Sequence, residues 1–250
     1  MFACARIAAR SAPDGYTFLF GTNSPFSVVP NMRKEPPYDT MADFTPVTYL
    51  GDTPFVIVAH PSVPAKNLAE LIVYAKANPK KLNYATGNTF AIVATAMFAK
   101  RAGIEMQAIP YKAEPEAIPD LLGGQVQLMF GTPTTTVPHI KAGKMSALAV
   151  IFDERTPLLP DVPTMIEQGH PKLPIGPWFA LAGPATMPAD IVAFMNKAIA
   201  TSVTKPEIRQ QLAQFGFTPR PGTPEALAAF FKDQLAVWKS ALKDAGVEPQ

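Results

Sequence analysis

A single cysteine, Cys4, stands in the whole sequence, which excludes an intrachain disulfide and any zinc cluster built on cysteine. No apolar run approaches the roughly 20 residues that a membrane-spanning helix needs. Charge is sparse: Asp, Glu, Lys and Arg make up 17% of the chain, the net charge is +2, and basic residues never run longer than two. That pattern excludes the dense basic stripe of a nucleic-acid-binding surface. The opening ten residues are broken by Arg6 and too short in apolar run for a secretory signal peptide, so no signal peptide is expected in this chain.

Catalytic signatures are equally scarce. The sequence contains no G-x-S-x-G, no G-x-x-x-x-G-K, no G-x-G-x-x-G and no H-E-x-x-H. His60, His139 and His170 lie far apart, and each sits beside a proline, as turn residues do. Asp52, Asp120 and Asp153 have no spacing that assembles them with a serine and a histidine. The expectation is no catalytic residue, no metal-ligand set and no cofactor.

What the chain does have is the alternation of an α/β protein. Hydrophobic residues make up 48%, and 28 dispersed prolines punctuate short apolar runs and amphipathic segments. This predicts an α/β fold with mostly parallel strands. Strands are predicted over 16–20, 45–50, 55–59, 82–85, 106–110, 126–130, 147–151 and 178–182. Asn67 with Glu70 marks a capping box, Asn78-Pro79 a stop, and Gly103 the end of a buried helix over 90–102. Pro206, and Pro224 behind Thr223, read as first-turn prolines. The last helix places Leu227, Phe231, Leu235, Trp238, Leu242 and Ala245 on one face.

Three of the predicted strands run into a small polar loop that opens a helix. These loops carry Thr22, Asn23 and Ser24; then Thr86, Gly87, Asn88 and Thr89; then Gly131 and Thr132, followed by Pro133 and Thr134–Thr136. In open α/β sheets ligands sit beyond the carboxyl ends of strands, where exposed helix N–H groups favour an anion. The three loops together predict a carboxylate cradle. The plainer account is that Thr, Asn and Ser are good helix N-caps.

Several stretches carry a family resemblance: Ala12-Pro13-Asp14-Gly15-Tyr16-Thr17, Pro54–Val58, His60–Leu68, Pro110-Tyr111-Lys112, Asp120–Val126, Ile140–Lys144, Leu159–Thr164 and Trp238–Gly246. In this order they resemble the Bug (TctC-type) extracytoplasmic solute receptors of tripartite tricarboxylate transporters. The resemblance implies a two-lobed α/β periplasmic binding protein of the type II, Venus-flytrap kind, with ligand held in the cleft. Residues 1–60 with 170–250 would form the first lobe and 61–169 the second. It also implies a periplasmic location, capture of a small carboxylate without chemistry, and delivery to a membrane permease. Carried over by position, Tyr111 and Lys112 join the loop residues above as ligand-binding residues.

Three departures from the family pattern stand out. A strand, a Gly-rich loop, a helix and a second strand normally precede Ala12-Pro13-Asp14-Gly15-Tyr16-Thr17. Without them the first lobe would be incomplete, with an open edge beside 16–20 lined by Phe18 and Phe20. Weak carboxylate affinity and self-association through that lobe are the expected consequences. The usual Gly after Tyr111-Lys112 is Ala113, followed by the added negative charge of Glu114. A frequent Asp after Met129-Phe130 is Gly131. The competing readings are a hydrolase recruited on the same fold, marked by a nucleophile within reach of a histidine, and a folded remnant without a complete site.

Overall fold

The computed structural model describes residues 2–248. The chain divides into two compact units, one formed by Met1–Thr53 and Pro177–Gln250, the other by the continuous segment Pro54–Gly176. The divisions fall seven residues outside the boundaries expected at 60/61 and 169/170. At the first division the cause is strand pairing, since Phe55–Ala59 pairs with β-strands of the second sheet.

In the discontinuous unit the elements are α1 (Phe2–Ala9), β1 (Leu19–Thr22), a π-helix (Ser24–Val28), α2 (Val29–Met32) and β2 (Phe44–Asp52). In the continuous unit they are β3 (Phe55–Ala59), α3 (Leu68–Ala77), β4 (Asn83–Thr86), α4 (Thr89–Ala102), β5 (Gln107–Pro110), α5 (Glu114–Leu122), β6 (Leu128–Gly131), α6 (Pro133–Lys141) and β7 (Ser146–Ile151). The chain then returns to the first unit through β8 (Trp178–Pro184), α7 (Ala189–Val203), α8 (Pro206–Ala213), β9 (Thr218–Pro219) and α9 (Pro224–Ala245).

The first sheet has the order β1-β8-β2-β9 and is antiparallel throughout. Its core centres on Phe26, whose ring stacks on Phe231 at 4.6 Å and lies 6.0 Å from Trp178. α9 supplies Leu227, Phe231, Trp238, Ala241 and Leu242 to buried positions. Thr223 caps it as predicted, its Oγ1 accepting the Ala226 N–H at 3.2 Å. β1 lies at an edge of the sheet. The strand itself is displaced from 16–20, because Asp14 accepts the Tyr16 N–H in a turn that leaves Tyr16 outside the sheet and exposed.

The second sheet has the order β5-β4-β6-β3-β7. β4 pairs in parallel with β5 and β6, whereas β3 is antiparallel to both β6 and β7. The expectation of mostly parallel strands is therefore corrected. Apolar strands covered by helices look alike in sequence whichever way their neighbours run. The helix signals are accurate here. Asn67 Oδ1 accepts the Glu70 N–H at 2.9 Å, and Glu70 in turn takes the Lys66 N–H at 2.8 Å. Gly103 ends α4 in the left-handed region.

Candidate functional site

Because β5, β4 and β6 are adjacent and parallel, the loops leaving them emerge at one end of the sheet. This brings Thr86, Gly87, Asn88 and Thr89, then Tyr111 and Lys112, then Gly131 and Thr132 to the same end of the continuous unit. The loops are tied at their roots: the Tyr111 N–H donates to the Thr86 carbonyl at 3.1 Å.

At the centre of this end lies a side chain that sequence reasoning marked as an added charge but did not place in the site. Glu114, the first residue of α5, is buried. Its Oε1 accepts the Thr132 N–H at 2.6 Å and the Thr132 hydroxyl at 3.0 Å. The Thr135 hydroxyl donates to the same oxygen, and the Asn88 amide donates to Oε2 at 3.3 Å. Two glycines admit this arrangement. A Cβ at Gly87 would lie 2.5 Å from Glu114 Cα, and one at Gly131 would lie 3.1 Å from Glu114 Oε1 and 2.5 Å from Thr136 Cγ2.

The capping account holds for one loop and fails for the other two. Asn88 Oδ1 accepts the Ala91 N–H at 2.7 Å and is an ordinary cap of α4. Thr132 occupies the N-cap position of α6 but gives the helix no side-chain cap. Tyr111 is also spent locally, its hydroxyl donating to Asp120 Oδ2 at 2.6 Å. Partial burial and this bond together push the phenol up to about 12. Lys112 is exposed.

Thr22, Asn23 and Ser24 belong to the discontinuous unit. Thr22 ends β1, and its Oγ1 accepts the Ser24 N–H at 3.2 Å. Asn23 has helical backbone and does not cap the π-helix that follows. It is 3% exposed, and its Nδ2 has no hydrogen-bond partner among the described residues. An orphaned buried amide is rare, and π-helical turns concentrate at functional sites. This loop is too short in helix to offer an N-terminal anion site. Its polar groups are side chains.

Ser62 lies 2.8 Å from His60 Nδ1, which is the kind of approach a hydrolase requires. The pair is two residues apart in one turn, and the Ser62 N–H donates to the same nitrogen at 3.2 Å. Among the described residues no carboxylate bonds to the His60 ring to orient it, as a catalytic base would need. Among the described residues there is also no group of His, Cys, Asp and Glu arranged to hold a metal ion, and no helix long and apolar enough to cross a membrane.

Comparison with known proteins places this α/β fold in a class of solute-binding proteins. Residues 2–247 match the family model described as "Tripartite tricarboxylate transporter family receptor", TctC. Protein BugT of Bordetella pertussis is 32% identical over 243 residues, covering 96% of this chain and 74% of BugT. Among solved structures, R. palustris Rpa4515 with adipate superposes with a TM-score of 0.92 at 29% identity, over 99% of this chain and 84% of that one. The periplasmic binding protein BugD superposes with a TM-score of 0.88 at 34% identity, over 98% of this chain and 83% of BugD. The fold class is that of the two-lobed periplasmic solute-binding proteins. The chain belongs to the TctC family of tripartite tricarboxylate transporter receptors.

Proposed function

We propose that this chain is a receptor for a small carboxylate, acts in the periplasm, and hands its ligand to the permease of a tripartite tricarboxylate transporter. The observation that carries the reading is the convergence of three polar loops at one end of β5-β4-β6, in a chain of the TctC family. Hydroxyls, amides and helix N-termini at the carboxyl ends of parallel strands suit a polar ligand, and the Glu114 carboxylate already rests on part of this donor set. The buried, unpartnered amide of Asn23 supports a further binding role for Thr22–Ser24. The adipate bound to Rpa4515 supports the ligand class.

A panel of small carboxylates tests the reading through thermal unfolding. A ligand bound only by the folded protein stabilises it by about 2.7 kcal/mol at 100 times its Kd. At least one carboxylate should raise Tm in a concentration-dependent way. A flat response to the whole panel would overturn the receptor reading. Hydrolysis of p-nitrophenyl esters that disappears in Ser62→Ala would instead favour an enzyme.

A further inference from the structure

The donor set that suits a ligand carboxylate in the continuous unit is already taken by a carboxylate of the chain. Glu114 is 8% exposed and receives four hydrogen bonds, three of them at Oε1. Both threonines that serve it belong to the first turn of α6 or its N-cap, where the helix dipole favours a negative charge. Among the described residues no Lys or Arg forms an ion pair with it. Among the described residues the carboxylate is held by these hydrogen bonds and by the helix terminus.

Two consequences follow from elementary electrostatics. A ligand carboxylate cannot take the Thr132 N–H and the Thr132 and Thr135 hydroxyls without ejecting Glu114 from a buried position. Nor can it settle beside Glu114 without a like-charge penalty, which is largest where water is excluded. A neutral ligand group meets neither obstacle, and a hydroxyl or amide N–H would find an acceptor in Oε2, which holds only the long bond from Asn88. Gly87 and Gly131 make the arrangement specific, since a side chain at either position would collide with the Ala113–Glu114 backbone or crowd the carboxylate.

We infer that Glu114 is a built-in occupant of the anion cradle at α6 and restricts the chain to carboxylates without a second negative charge. The inference rests on the receptor reading above and deepens it. It sets this chain apart from Rpa4515, whose bound adipate is a dicarboxylate.

The experiment is isothermal titration calorimetry of the full chain with ligands matched in length, hexanoate against adipate and butanoate against succinate. The wild-type protein should prefer the monocarboxylate of each pair by at least about tenfold, the ratio that 1.4 kcal/mol represents. Glu114→Gln keeps the acceptor and removes the charge, and should shrink or invert that ratio by a similar factor. Glu114→Ser serves the same purpose if the glutamine variant does not fold. A residue that merely caps α6 would change both ligands alike. An unchanged ratio in the variants, or a wild-type protein that binds adipate as tightly as hexanoate, would overturn the role of Glu114 and leave the receptor reading standing. Failure of every carboxylate with every protein would overturn both.

Discussion

The backbone of Ala113–Glu114 approaches Gly87 so closely that a methyl group there has no room, and the obstacle is main chain, which cannot swing aside. Gly87→Ala should therefore cost about 1–3 kcal/mol, as overpacking of a tight contact does. Urea unfolding measures it, and an unchanged midpoint would mean that the α5 entry is free to move. Tyr111 offers a second test at this scale. Its phenol is raised from the ordinary 10.0 to about 12 by burial and by its bond to Asp120. The folded chain thus holds a proton that the unfolded chain releases first. The resulting stability is fully present below pH 10 and is lost as pH rises towards 12. Burial raises Tyr38, Tyr49 and Tyr84 in the same direction, so the comparison with Tyr111→Phe isolates the one contribution. That variant should lose stability less steeply across this window. In absorbance titrations of the phenolate it should also lack a late-titrating group. Identical slopes in the two proteins would show that the Tyr111 phenol is not raised in the folded chain.

Among the elements, α9 is the one whose loss the discontinuous unit would feel most, since it lays Phe231 against Phe26 and brings Trp238 into the buried interior. Phe231→Ala should cost about 3–5 kcal/mol by chemical denaturation. A loss under about 1 kcal/mol would show that the Phe26 cluster repacks. The helix was legible in the sequence because its apolar stripe repeats over many turns and because Thr223-Pro224 announces its start. The Asn67–Glu70 box and the Gly103 stop were legible for the same local reason. Strand direction was not, because it is decided by pairing partners distant in sequence. β9 escaped notice because two residues, Thr218–Pro219, carry no periodicity. Of the candidate site, the loops of β4 and β6 could be read from Thr, Asn and Gly beside a strand end. That Glu114 fills the space between them could not, since an acid in the first turn of a helix is ordinarily a solvent-facing partner of the dipole. Gly87 and Gly131 were the signal: two glycines at strand ends, each a place where another chain segment can come close.

At the scale of the molecule, each unit has its own sheet and its own buried core. In the continuous unit the strands at both edges, β5 and β7, flank a sheet whose connections include α3, α4, α5 and α6. In the discontinuous unit β1 pairs with β8 on one side only, and its outward side chains include Phe20, which is 62% exposed while stacking on Phe179 at 5.7 Å. An edge strand that is short of charge and carries an exposed aromatic ring is a template for a further strand. Natural sheets block such pairing with a lysine or a proline at the edge, and Leu19–Thr22 contains neither. The chain should therefore self-associate through β1 as its concentration rises. Light scattering coupled to gel filtration should report a mass that grows with loading. Phe20→Lys places a charge on the exposed face and leaves Leu19, which faces the core, untouched. This variant should return the chain to monomer mass with little change in thermal stability, since the ring it removes is mostly in solvent. A wild-type chain that stays monomeric at every loading, or a Phe20→Lys variant that associates as strongly, would show that the β1 edge is not the surface through which copies meet.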